Sequence, residues 1–297
     1  MVGMQTVTNI HPRTLVTGGT GKTGNRVAQR LRALGHPVRI GSRAGEPPFD
    51  WDDPGTWDPV LDHVDAAYLV YYPDLAFPGA ADTLAAFAGR AVAHGVRRLV
   101  LLSGRGEEEA VVSEDAVRAV APDLTVVRAS WFAQNFSEHF LLGPVLDGVI
   151  ALPAGPVPEP FVDAGDVADV AAAALTADDH AGATYELTGP RLLTFADAAA
   201  EISRATGREV VFVPVTPAEY GEAALRAGVP AGEVEPLTDL FVRVLDGRNA
   251  AVTGDVGRVL GRPARDFADY AAEAAASGVW TVPAGDEAGT VREGTRR

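Results

Sequence analysis

Thr17-Gly18-Gly19-Thr20-Gly21-Lys22-Thr23-Gly24 follows the short apolar run Arg13-Thr-Leu-Val-Thr17 and opens a stretch with helical spacing over 22–34, which Gly35 ends. The run 13–17 is of strand length, so the glycines occupy a strand-to-helix turn. Such a turn binds a pyrophosphate when one glycine allows the tight bend, one lets backbone N–H groups approach the phosphates, and one lets the helix close on the strand. Two overlapping patterns meet this need: Gly-x-Gly-x-x-Gly on Gly19, Gly21 and Gly24, and Gly-x-x-Gly-x-x-Gly on Gly18, Gly21 and Gly24. Either is weak alone; after a first strand and before a helix it is a dinucleotide fingerprint. Gly21-Lys22-Thr23 also suggests a nucleoside-triphosphate loop, but the glycine required five residues earlier is Val16, so that alternative fails.

The second strand, expected over 38–42, decides which dinucleotide. An NAD site places an Asp or Glu near its end to bind the ribose 2′-hydroxyl. Here the strand ends Arg39-Ile-Gly-Ser42-Arg43 with no carboxylate, so a 2′-phosphate meets Arg43, with Ser42 as a neutral donor. NADP(H) is the expected cofactor. The local charge agrees. From Arg13 to Arg43 the chain carries seven cations (Arg13, Lys22, Arg26, Arg30, Arg32, Arg39, Arg43) and no acid, in a protein of net charge −15, so the remainder carries −22. A basic segment in an acidic chain suits a small anionic ligand, although Arg30 and Arg32 also suit a solvated helix face. The acidic total argues against nucleic-acid binding, which needs a basic face.

Downstream the pattern alternates: apolar strands over 65–71, 97–102 and 124–128, and helices over 80–94 and 107–120. A further helix at 166–175 and a last strand at 184–187 follow. Strands alternating with helices imply an α/β fold, a Rossmann-type doubly wound parallel sheet covered on both faces. The segment 144–160 holds five prolines and reads as a loop with one short strand at 149–152. After Gly189-Pro190 the chain is mostly helical apart from 210–215, and Thr194-Phe-Ala-Asp197 opens a helix with a good cap. The expected organisation is a Rossmann domain over 12–133, completed by 161–189, and a smaller substrate lobe from 134–160 and 190–280. Residues 1–11 are expected to fray and 281–297 to form a disordered tail.

At 297 residues, 47% hydrophobic and 22% charged, the composition is that of a soluble globular chain. No apolar run approaches the ~20 residues of a membrane span, and no secretion signal is expected at the N-terminus. With no cysteine there is no disulfide and no thiolate chemistry, which fits a cytoplasmic protein. His11, His36, His63, His94 and His180 show no metal-ligand spacing, and no metal is expected. A homodimer is compatible with this composition, which does not set the oligomeric state.

The glycine loop, Val38-Arg-Ile-Gly-Ser-Arg43, Phe49-Asp-Trp-Asp52 and Gly95-Val-Arg-Arg-Leu-Val-Leu-Leu-Ser103 carry a resemblance to a known family. So do Thr125-Val-Val-Arg-Ala-Ser-Trp-Phe-Ala-Gln-Asn135 and Phe161-Val-Asp-Ala-Gly-Asp-Val-Ala168. Over 13–280 the chain resembles the NmrA-like branch of the atypical short-chain dehydrogenases. The resemblance implies a Rossmann domain with a small C-terminal lobe and a cleft between them. It implies either an NADP(H)-dependent reductase of quinones and electron-poor aromatics or a dinucleotide-sensing regulator. By this likeness Gly18, Thr20, Gly21, Lys22, Thr23 and Gly24 hold the pyrophosphate and Arg43 the 2′-phosphate. Asp50 and Trp51 lie beside the adenine, while Tyr71, Tyr72, Pro73 and Ser103 line the route to the nicotinamide. Tyr72, Trp131, Phe132 and Asn135 contact the substrate.

One element of ordinary short-chain dehydrogenase chemistry is missing. The tyrosine acid of that group works with a lysine four residues on, yet the only lysine here is Lys22, and the corresponding helix reads Glu107-Glu-Glu-Ala-Val-Val-Ser-Glu-Asp-Ala-Val-Arg118. General acid catalysis contributes ~10²–10⁴-fold, so its absence selects acceptors that need little help from a proton, such as quinones or conjugated cations. Hydride transfer then depends on positioning and stacking. Ser103 is a candidate to hydrogen-bond a substrate oxygen and His139 a candidate proton source, each with a bland structural alternative. Asp163, Asp166 and Asp169 read as helix-cap and surface residues. The expected function is an NADPH-dependent oxidoreductase acting on a small, flat, electron-poor molecule. Its competitors are a non-catalytic NADP(H) sensor working through a protein partner and a biosynthetic isomerase or cyclase on the same fold.

Overall fold

The computed structural model describes residues 13–138 and 140–282. His139, the lead-in 1–12 and the tail from 283 onward, each assigned a role above, lie outside the described residues. Eight strands are described: β1 Thr14–Thr17, β2 Val38–Gly41, β3 Ala66–Leu69, β4 Arg98–Gly104, β5 Thr125–Ala129, β6 Val149–Leu152, β7 Thr184–Leu187 and β8 Val211–Pro214. The helices of the first half are α1 Lys22–Ala33, α2 Trp57–Leu61, α3 Ala80–Ala93, α4 Glu108–Val120, α5 Asn135–Glu138 and α6 Leu142–Asp147. Those of the second half are α7 Ala164–Thr176, α8 Phe195–Thr206, α9 Pro217–Arg226, α10 Ala231–Val244, α11 Asp255–Leu260 and α12 Phe267–Ala276.

Six strands form one sheet in the order β2-β1-β3-β4-β5-β7, all paired in parallel. β1 and β3 are buried along their whole length, as strands covered by helices on both faces must be. The core has two matching layers. Leu15, Leu69, Leu84, Phe87 and Leu101 pack on one face, and Val16, Val27, Leu31, Val100, Val127 and Val167 on the other. From β1 the chain moves outward to β2, then crosses back to β3 on the opposite side. That reversal opens a crevice beyond the carboxyl ends of β1 and β3, where open α/β sheets bind ligands. The hydroxyl of Thr17 closes the base of the crevice, accepting from Val70 N at 2.7 Å and lying 3.2 Å from the carbonyls of Tyr68 and Val70.

The second core belongs to the lobe and is aromatic: Phe136, Phe161, Phe195, Phe241, Phe267 and Trp280 are all buried in it. β6 and β8 pair there in parallel, and α8 opens on a capping box in which Thr194 and Asp197 satisfy each other's backbone N–H groups. Two features differ from expectation. Leu142–Asp147 is a helix where a loop was expected, because Pro144 lies in its first turn, where no intrahelical N–H is needed. The segment 249–260 does not stay in the lobe. Val256 packs in the sheet core, and Asp255 Oδ2 accepts from the backbone N of Glu186 on β7 at 2.8 Å.

Candidate active site

Gly18 and Gly24 of the loop have distinct geometric reasons. Gly18 adopts φ +59°, a left-handed conformation that side chains resist, and its carbonyl accepts from Gly21 N at 2.8 Å. A Cβ at Gly24 would overlap the carbonyl group of Gly18, so α1 can sit this close to β1 only without a side chain there. At Gly21 a Cβ would meet only Gly18 O at 3.2 Å, on the exposed side of the turn. The turn therefore offers backbone N–H groups at the head of a helix with no acidic residue in its first turn, a suitable cradle for a pyrophosphate. Thr20 is exposed at the tip, and Thr23 is buried under the first turn.

Lys22 begins α1 and reaches across the cleft, donating to the side-chain oxygen of Asn135 with its ammonium 5.4 Å from the centre of the Phe132 ring. Burial lowers its pKa to about 8, opposed by the nearby Glu138 carboxylate and reinforced by Arg26. One turn on, Arg26 pairs with Glu138 of α5, tying the cofactor helix to the lobe a second time.

Beyond β2, Arg43 is exposed and, among the described residues, has no ion-pair or hydrogen-bond partner. Asp50 organises its own loop: its carboxylate accepts from Asp52 N at 3.2 Å and its carbonyl from the Trp57 indole at 2.9 Å. Trp51, expected beside an adenine, packs into the core. Its ring is 9% exposed, packs edge-on to Phe49 and Phe87, and its N–H donates to Val70 O at 3.1 Å. The sequence offered no sign of this, because the packing partner Phe87 lies on α3.

At the carboxyl edge of the sheet lies a cavity of about 290 Å³, lined by Tyr71, Ser103, Ser130, Trp131, Phe132 and Asn135 among others. Its size is near the lower end for small-molecule sites, ~300–1,000 Å³. Tyr71 packs on Trp51 at 5.2 Å, whereas Tyr72 is 78% exposed and does not line this cavity. Trp131 is braced by Phe195 and Phe241 at 5.6 and 5.5 Å, which fixes its ring as a wall. A hollow at the opposite edge, by Val92, Pro122 and Ala177, is at the wrong end of the sheet for a dinucleotide.

The structure gives Ser103 a different partner from the one expected. It lies within β4, and its hydroxyl donates to Glu114 Oε1 at 2.6 Å. Glu114 is fully buried on α4 and also receives Arg128 at 2.7 Å, so Ser103 completes a buried ion-pair network and has no proton left for a substrate oxygen. Arg128 continues to Glu186, which Arg105 contacts at 3.0 Å. Asp163 and Asp166 are buried and paired: Asp163 caps α7 and binds Gln134, and Asp166 meets Arg262 at 2.7 Å.

Two carboxyl groups of the cavity, Glu107 and Glu159, were not singled out by sequence reasoning. Burial raises both to about 7; Asp74 and Glu109 add to the effect at Glu107 against Arg243, while at Glu159 Arg105 opposes it and Asp246 adds to it. The Glu107 carboxyl lies over Gly104, in the space a Cβ there would occupy. Glu159 sits between Pro158 and Pro160, a context that looks like loop, and only its contacts reveal its burial.

The chain is 34% identical over 284 residues to the uncharacterized oxidoreductase YesF of Bacillus subtilis, a match covering 90% of this chain and 96% of that protein. It is 35% identical over 284 residues to the (4-alkanoyl-5-oxo-2,5-dihydrofuran-3-yl)methyl phosphate reductase of Streptomyces griseus, over 87% of this chain and 96% of that one. Its fold matches that of the Citrobacter sp. triphenylmethane reductase complexed with NADP(H), with a TM-score of 0.72 at 22% identity, across 89% of this chain and 99% of the other. No family model matches the chain.

Proposed function

The chain belongs to the NmrA-like branch of the atypical short-chain dehydrogenases, a family of NAD(P)H-dependent oxidoreductases, and on that premise we propose that it reduces a small, flat, electron-poor acceptor, a quinone or conjugated aromatic, with NADPH. The single observation that carries this reading is the cavity beyond the carboxyl ends of β3, β4 and β5. Asn135 and Val70 of its lining touch Lys22 and Gly18 of the glycine turn, it is walled by Trp131 and Phe132, and the chain has no Tyr-x-x-x-Lys pair to serve a simple ketone. The reductase of Streptomyces griseus, whose named substrate is a dihydrofuranone, gives the same reading a conjugated, oxygen-bearing acceptor.

NADPH, when bound, supplies a hydride from its nicotinamide ring. Gly18, Gly21 and Gly24 shape the pyrophosphate turn, Lys22 and Thr23 stand at the head of α1, and Arg43 is free to meet a 2′-phosphate. Trp131 and Phe132 hold the acceptor by burial and stacking, each aromatic contact adding ~0.5–1.5 kcal/mol beyond area. Asn135, held by Lys22, fixes the edge of the cavity nearest the glycine loop.

The test follows NADPH absorbance against quinones, azo and triphenylmethane dyes, and plain ketones. Turnover confined to the conjugated acceptors is the expected result. Efficient ketone reduction would contradict it, and tight NADPH binding with no turnover would replace it with a cofactor-sensing role.

A further inference from the structure

We infer that Glu159 is the proton donor of this site, delivering a proton to the heteroatom of a neutral conjugated acceptor as hydride arrives. The inference rests on the proposed reductase function and adds to it the acid that the missing tyrosine and lysine leave unassigned.

Glu159 is 1% exposed and lines the same cavity as Ser103, Ser130 and Trp131. Its backbone is fixed by a two-way bridge to Leu193, N to O at 2.8 Å and the return bond at 3.0 Å, so the side chain springs from a rigid point. Three buried carboxylates around the cleft have strong partners: Glu114 has Ser103 and Arg128, Asp163 has Gln134, and Asp166 has Arg262. Glu159 does not; among the described residues its Oε1 is buried with no hydrogen-bond partner. Arg105, the cation that bears on it, is occupied by Glu186 and by the carbonyls of Asn249 and Ala251. An ionised carboxylate in such a place is costly, and the group stays neutral instead.

The charged groups facing it agree. Arg105 favours ionisation of Glu159 and Asp246 opposes it, while Asp74 and Glu107, which share the cavity, are themselves raised by burial. With its pKa at about 7, Glu159 carries an O–H near neutrality. Two more groups of the cavity wall also lack partners among the described residues, the hydroxyl of Ser130 and the indole N–H of Trp131. Ser130, Trp131 and Glu159 all belong to the lining of one cavity, and buried polar groups left without partners there suit an acceptor bearing oxygens, which they can hold and polarise.

The step balances. Hydride brings two electrons and one hydrogen to the electrophilic atom of the acceptor, the π-bond shifts its electrons to the heteroatom, and the Glu159 O–H bond breaks as the new heteroatom–H bond forms. Glu159 is left as a carboxylate and regains its proton from solvent.

The experiment uses the full chain and its Glu159→Gln variant. Infrared difference spectra of the cofactor-free protein should show a buried protonated carboxyl at pH 6 that is lost above about pH 8 and missing from the variant; an ionised Glu159 at pH 6 overturns the inference whatever the turnover. With NADPH and a neutral quinone, kcat/KM should fall as pH rises through about 7, because the acid form is the active one. Glu159→Gln should lower that rate about 100-fold and abolish the alkaline limb, yet leave reduction of a cationic conjugated dye within about threefold, since that acceptor needs no proton. A limb that survives in the variant, or an equal loss with both acceptors, would overturn the donor role. If the unmodified protein reduces neither acceptor, the reductase reading itself fails and the donor role falls with it, while the infrared result still reports the state of Glu159.

Discussion

Lys22, the first residue of α1, donates to Asn135, 113 positions later, so the glycine loop and the wall of the cavity are joined by one hydrogen bond. The bond holds a partly desolvated ammonium with a pKa of about 8. A phosphate arriving at the loop stabilises the charged form and raises that pKa, so binding takes up a proton above about 8. NADPH affinity should therefore be steady below pH 7.5 and weaken by up to about tenfold per unit above 8. Titration calorimetry in buffers of different ionisation enthalpy measures this directly. Lys22→Met should weaken binding about ten- to a hundredfold at pH 7 and flatten the profile. An unchanged alkaline limb in that variant would remove Lys22 from the phosphate site.

We propose that Arg43 decides the choice between the two nicotinamide cofactors. It has no competing partner among the described residues, so its whole hydrogen-bonding capacity is available to a 2′-phosphate. A charge-assisted bond of this kind contributes ~1.5–3 kcal/mol, so Arg43→Ala should weaken NADPH about ten- to a hundredfold and leave NADH unchanged. Equal affinities for the two cofactors in the unmodified protein would contradict the assignment.

Gly21 and Gly24 should fail in different ways. At Gly24 a methyl group would overlap the carbonyl of Gly18, so Gly24→Ala should lower the melting temperature by several degrees as well as binding. A methyl at Gly21 meets only Gly18 O at 3.2 Å, so Gly21→Val should fold and melt nearly normally but lose dinucleotide affinity. Thermal melts with and without NADPH separate the two, and retained affinity in folded Gly21→Val would exclude this turn as the pyrophosphate site.

Ser103 is a structural residue by its geometry, since its hydroxyl completes the shell of Glu114. Ser103→Ala leaves one carboxylate oxygen with fewer donors, at a cost of ~1–3 kcal/mol. The melting temperature should drop while kcat/KM with a quinone stays within about threefold. A hundredfold loss of activity at unchanged stability would return Ser103 to the chemistry.

The sequence alone determined the α/β class, the position of each strand of the main sheet to within a few residues, and the glycine turn at its head. These follow from local rules, because apolar periodicity, glycine at a strand-to-helix turn, and the Thr194–Asp197 cap are all written within a dozen residues. The lack of a tyrosine–lysine pair was legible for the same reason, as was the basic Arg43 at the end of β2. What only the tertiary structure decided concerns partners far apart in the chain. Trp51 is a core residue because Phe87 lies on α3, and 249–260 returns to the main sheet because Arg105 and Glu186 bond to it. Ser103 and Glu159 look alike as isolated polar residues in the sequence, yet one is tied to Glu114 and the other is left unpaired in the cavity. Whether a buried polar group is satisfied depends on which distant segment packs against it, and no local pattern encodes that.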